Sequence, residues 1–169
     1  MHTQELLIAL GVPGGKYLMS DGTTEYQVLY GNDTWGLSPE EYDAWNAIRQ
    51  TPCDVATPAP LIRSLAKDGA FYRYNPETPD QDFLRHHRIA PMGRPIGPLP
   101  DDPNQYCILT TNARKKLICD TPLACVWLHW WQTYPLNATG SFSVEAVWQA
   151  IPWALSNNLG YLVPFKEVR

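Results

Sequence analysis

Along the first half of the chain, apolar residues fall in short groups separated by turn-forming residues. Leu6, Leu7 and Leu10 within Thr3 to Leu10 predict a short amphipathic helix, broken by Gly11-Val12-Pro13-Gly14-Gly15. Lys16 to Ser20 and Glu25 to Tyr30 read as strands joined across Asp21-Gly22, a strong hairpin signal. Gly31-Asn32-Asp33 turns again, and Thr34 to Leu37 returns as a short strand. Ser38-Pro39-Glu40-Glu41 then supplies an N-cap, a proline suited to the first helical position and two acids for the positive helix end. That helix runs to about Arg49, with Tyr42, Trp45 and Ile48 on one face. Thr57-Pro58 opens another, with Leu61, Ile62 and Leu65 as its apolar face and Gly69 as its stop, and Ala70 to Tyr74 closes as a strand.

The same order of elements recurs later. Tyr106 to Thr110 and Lys115 to Cys119 read as a hairpin, Thr121-Pro122 as a helix start, and Cys125, Leu128 and Trp131 as its apolar face. An offset of 83 positions lays Tyr42, Trp45 and Ile48 on those three residues, and an offset of 91 lays Gly69-Ala70-Phe71 on Gly160-Tyr161-Leu162. Val144, Val147, Trp148 and Ile151 form one more apolar helix face, which Pro152 bends or restarts. Between the halves, Pro91 to Pro100 holds four prolines and two glycines, which exclude a regular helix and predict an extended connector. The expected organisation is therefore α+β: one unit over residues 1–75, a Pro-rich connector over 76–103 and a second unit over 104–169.

Composition narrows the function more than the fold. A 12% aromatic share supplies core material for small units, and a net charge of −4 argues against strong nonspecific binding to nucleic acid. The charge is uneven: residues 1–75 carry five Lys/Arg against nine Asp/Glu, residues 104–169 five against three. Cys53, Cys107, Cys119 and Cys125 contain no C-x-x-C pair, and Cys107 and Cys119 are candidates to face each other across the second hairpin. No apolar run reaches the ~18–20 residues of a membrane span, and the first residues lack the basic and apolar parts of a secretory signal. Free thiols in a cytoplasmic protein are the expectation, with no membrane partner.

The stretch Leu61-Ile62-Arg63-Ser64-Leu65-Ala66-Lys67-Asp68-Gly69-Ala70-Phe71 resembles a third helix turning into a wing strand, as does Ala154 to Leu162. On this ground the chain resembles the winged helix-turn-helix superfamily, in two tandem copies. Its leading hairpin is similar to that of the PqqD-like domains, which bind leader peptides. The resemblance implies a non-catalytic adaptor that binds a protein or peptide by adding it to a hairpin edge, at Lys16 to Tyr30 or Tyr106 to Cys119. Candidate contacts are Tyr17, Tyr26, Val28, Tyr30 and Trp35. Trp127 and Trp130 join them, because three tryptophans in five residues cannot share one helix face; the spare face would meet the other copy, the connector or a second subunit. The alternative is a DNA-binding regulator reading the major groove with the helix around Leu61 to Asp68. Its contacts would be Arg63, Lys67 and Arg73, with Arg114, Lys115 and Lys116 on the second hairpin. His86-His87 with Asp82 lacks a third ligand at metal-binding spacing, and there is no Gly-rich phosphate loop, so no metal, cofactor or catalytic residue is expected.

Overall fold

The computed structural model describes residues 5–54, 59–111, 115–132 and 134–166. The protein is mixed α+β and divides into two compact units, Met1–Thr78 with Leu162–Pro164, and Pro79–Tyr161 with Phe165–Arg169.

The first unit opens with β1 (Leu6–Ala9) and continues as β2 (Val12–Leu18), β3 (Thr24–Tyr30) and β4 (Asp33–Leu37). Then come α1 (Pro39–Gln50), the two-residue β5 (Cys53–Asp54), α2 (Pro60–Lys67) and β6 (Phe71–Tyr74). β2, β3 and β4 form an antiparallel meander, and β1 lies between β5 and β6 in a second small sheet. The opening segment is thus a strand where the sequence predicts a helix. Leu7, Ile8 and Ala9 are all buried, which suits a strand covered on both faces, and a helix this short is marginal without other support. Residues 3 and 4 of the expected helix, and the Thr57-Pro58 helix start, lie outside the described residues.

The α1 start forms as its sequence predicts. Ser38 Oγ accepts from Glu41 N at 3.2 Å while the Glu41 carboxylate accepts from Ser38 N at 2.8 Å, a complete capping box. Leu7, Val28, Leu37, Trp45, Ile48, Leu65 and Phe71 make the core beneath α1 and α2. Trp45 is fully buried, and its indole N–H donates to the Leu10 carbonyl at 3.0 Å. A ring of that size needs such an acceptor once water is excluded.

The second unit begins with α3 (Gln81–His86), β7 (His87–Pro91) and β8 (Arg94–Leu99), where the sequence predicts an extended connector. Then follow β9 (Asp102–Leu109), β10 (Lys116–Asp120), α4 (Thr121–His129), α5 (Val144–Ser156) and β11 (Gly160–Pro164), of which Leu162–Pro164 count with the first unit. β8, β9 and β10 form an antiparallel meander, and β7 pairs with β11. Pro95 and Pro98 sit on β8, an outer strand, where a missing N–H need not break the ladder. α5 runs through Pro152 as one helix.

With α3 and β5 set aside, both units run in one order: strand, three-stranded meander, two helices, closing strand. The correspondence is finer than the sequence offsets suggest. Gly11 and Gly93 both have positive φ, +95° and +93°, and lie 82 positions apart. At the same spacing, Trp127 answers Trp45: it is fully buried, and its N–H donates to the Leu159 carbonyl at 2.9 Å. The buried residues of α4 are accordingly Ala124, Val126 and Trp127, joined by Trp130 at its C-cap, not Cys125, Leu128 and Trp131. The offset of 83 slips by one residue, about 100° around the helix, because it matches the two prolines, whereas Ser38 and Asp120 are the structural N-caps. At the second helix ends, Ala70 N bonds to Leu65 O and Leu159 N to Ala154 O, so the offset there is 89 and Asn158 (φ +55°) answers Gly69.

Candidate functional site

A three-stranded meander exposes two outer strands, and here the two are unlike. The β2 ladder to β3 shifts register between Pro13 and Gly15, and the β8 ladder to β9 shifts between Pro95 and Gly97. A proline and a bulge at the same place spoil an edge for pairing with an incoming strand. β4 and β10, at the opposite edges, contain no proline and pair residue for residue with β3 and β9 without a shift. Each unit therefore has one blunted edge and one regular edge.

The β4 edge carries Gly36, opposite Gln27 on β3. Glu25, two residues before Gln27 and so on the same face, lays its carboxylate over that glycine. A Cβ at Gly36 would stand 2.5 Å from the Glu25 carboxyl carbon. Glu25 is half-buried as a residue, and its carboxylate accepts one long bond, from Gln27 Nε2 at 3.4 Å, and meets no cation among the described residues. Beside it runs an open groove of about 740 Å³, walled by Met19, Asp21, Thr23, Leu37 and Ser38 among others. Asp21 accepts from the Thr23 hydroxyl (2.6 Å) and N–H (2.9 Å), bonds that hold its carboxyl below the usual carboxylate range.

On the β10 edge the residue in the place of Gly36 is Ile118, half exposed, with Lys115 and Lys116 exposed just before it. Glu25 is answered by Gln105, whose amide donates to Asp120 Oδ1 at 2.7 Å. Next to Asp120 lies a smaller pocket of about 300 Å³, lined by Leu123, Val126, Phe142, Ala146 and Ala150 between α4 and α5.

The predicted contact residues scatter over these features. Tyr17 is exposed on β2. Tyr26 is half-buried and stacks on Tyr42 at 4.5 Å; Tyr30 stacks on Trp35 at 5.3 Å, and burial raises the Tyr30 hydroxyl pKa. Val28 does not belong to an edge: it is fully buried on β3, the central strand, as is Ile108 on β9. Trp127 and Trp130 are also core residues, and the tryptophan left half exposed is Trp131, edge-on to Trp127 at 5.8 Å. Arg63 and Lys67 are exposed one turn apart on α2, Arg73 is exposed on β6, and Arg114 lies outside the described residues.

Cys107 stands opposite Ile118 and Cys119 opposite Tyr106, so the two thiols do not face each other. All four cysteines are free, and burial pushes the Cys119 thiol up to about 11. The adjacent histidines diverge: His86 Nδ1 is 3.4 Å from Asp82 Oδ1, while the His87 ring stacks on Phe83 at 4.0 Å. Among the described residues no three His, Cys, Asp or Glu side chains gather as metal ligands, and no helix is long and apolar enough to cross a membrane.

Comparison with protein-family models, curated proteins and solved structures gives no match. The functional reading therefore rests on the geometry of the edges. The edge asymmetry had a signal in the sequence: Gly11-Val12-Pro13-Gly14-Gly15 recurs as Gly93-Arg94-Pro95-Ile96-Gly97, a G-x-P-x-G pattern marking both blunted strands.

Proposed function

We propose that the chain is a non-catalytic adaptor, built on two winged-helix-like units, that binds extended segments of a protein or peptide partner. Binding occurs by strand addition at β4 and β10. The observation that carries this reading is the asymmetry of the meanders, in which one edge is blunted by proline and bulge and the other is left regular. An incoming strand at the regular edge gains a row of backbone hydrogen bonds, while alternate side chains meet the face beside it. The aromatic surface supports that edge from within, through the Tyr30–Trp35 stack behind β4.

A displayed library of random twelve-residue peptides, selected on the purified full chain, tests the reading. Enriched peptides are expected to slow amide hydrogen exchange in β4 or β10. N–H groups of an outer strand point alternately to its partner and outward, so one of Asp33→Pro and Thr34→Pro removes an outward donor. The folded variant of that pair is expected to lose binding at β4, and one of Leu117→Pro and Ile118→Pro at β10. Enriched peptides that protect neither strand, or that bind all folded proline variants unchanged, overturn the reading.

A further inference from the structure

We infer that the β4 edge selects an extended segment bearing a lysine or arginine, whose side chain crosses Gly36 to the Glu25 carboxylate. This rests on the strand-addition reading and names the partner chemistry for one of its two edges.

Glu25 belongs to the middle strand, yet its carboxylate lies over the outermost one, in space that any larger residue at position 36 would fill. Neighbouring strands run about 4.8 Å apart, so a strand added beyond β4 sits one spacing from Gly36. The four-carbon stem of lysine, or the longer arginine fork, spans that distance, and a short side chain does not. The surroundings are of one sign. Asp21 and Glu25 contribute carboxylates to the groove, hydroxyls come from Ser20, Thr23, Thr24 and Ser38, and among the described residues no basic side chain lines it. The carboxylate of a half-buried residue, without a cation, gains from one more than a fully solvated carboxylate does.

The second unit supplies an internal control. There the glycine is replaced by Ile118, the glutamate by Gln105, and the Gln105 amide is already bonded to Asp120. Lys115 just before that edge and Lys116 at its start oppose a cationic strand. The preference for a basic segment is thus particular to β4.

The test uses fluorescein-labelled peptides of sequence Thr-Val-Thr-Xaa-Thr-Val-Thr, with Xaa as Lys, Arg, Ala or Glu, against the full chain by fluorescence anisotropy. The Lys and Arg peptides are expected to bind about three- to tenfold tighter than the Ala peptide, and the Glu peptide weaker than it. With Glu25→Gln the Lys-to-Ala ratio should collapse towards one, and raising salt should shrink it in the parent protein. If all four peptides bind alike and Glu25→Gln changes no ratio, the charge inference is overturned while strand addition stands. If none binds, or binding leaves β4 exchange unchanged, strand addition at β4 and the inference fall together.

Discussion

The two units hold the same order of elements around the same kind of tryptophan anchor, and they differ where their regular edges meet solvent. In the interior, Trp45 and Trp127 each donate an indole N–H to a backbone carbonyl and are wholly buried. At the edge, Gly36 with a Glu25 that meets no cation among the described residues stands against Ile118 with a Gln105 bonded to Asp120. The grooves differ in their polar groups: the first sets carboxylates and hydroxyls beside Met19, Leu37 and Pro39, and the second is lined mainly by aliphatic and aromatic side chains. Core positions tolerate little change because their volume and hydrogen bonds are fixed by neighbours, whereas an edge side chain is free to change what it recognises. Shared framework and divergent edges are what the proposed strand-addition reading requires of two units with different partners.

The hardest test of the shared framework is to remove its anchors. Trp45→Ala and Trp127→Ala are each expected to cost about 3–5 kcal/mol, from lost burial, the cavity left behind and the stranded carbonyl. Hydrogen exchange read unit by unit in denaturant would measure both. Loss confined to the mutated unit supports two separately organised bodies, and a large cost at one tryptophan with a small one at the other breaks the equivalence.

A smaller effect is expected at the glycines that turn β1 and β7 into their meanders. Gly11→Ala forces a side chain into positive φ and places its Cβ 2.6 Å from Val28 Cγ1 and 2.9 Å from the Leu29 carbonyl oxygen. Gly93→Ala meets the same backbone penalty, with its nearest atom, the Leu109 carbonyl oxygen, at 3.0 Å. Both should destabilise by about 1–3 kcal/mol, Gly11→Ala by more. A chemical denaturation series gives the order; the reverse order would mean that the two turns are not built alike.

Those glycines also show what was readable in advance. The α1 capping box, the Asp21-Gly22 hairpin and the mixed α+β class follow from local chemistry, since each depends on residues a few positions apart. The β7–β8 region is opaque in sequence because proline density predicts an extended connector and extended backbone is also what a strand uses; only pairing, of β8 with β9 and of β7 with β11, separates the two. β1 differs from the helix its sequence predicts because a short apolar run, with Leu7 to Leu10 all buried, has no periodicity to tell strand from helix. The α4 face slipped because Pro39 and Pro122 occupy successive positions of the first turn, and a one-residue error puts Trp131 inside and Trp130 outside. The Glu25–Gly36 contact was beyond local reading, since it depends on the β3–β4 register and on a side chain crossing a strand.

The finest distinction between the units is a response to acid. His87 in β7 is half-buried, stacked on Phe83, with Nδ1 2.9 Å from the Phe83 carbonyl. Burial holds its pKa below the usual imidazole value, while the bond to the Phe83 carbonyl acts the other way, which keeps the effect modest. A histidine depressed in the folded state is neutral there while the unfolded chain takes up a proton. Its contribution is therefore full above about pH 6.5 and is lost as pH falls from there towards the folded value. At the offset of 82 the first unit has Glu5, an exposed side chain, in the place of His87, and no histidine among its described residues. Between pH 7 and 5, exchange protection is expected to fall further in the second unit than His87→Gln leaves it falling, and that substitution should not alter the slope in the first. Equal slopes in parent and variant would show that the acid response comes from elsewhere and remove this difference between the units.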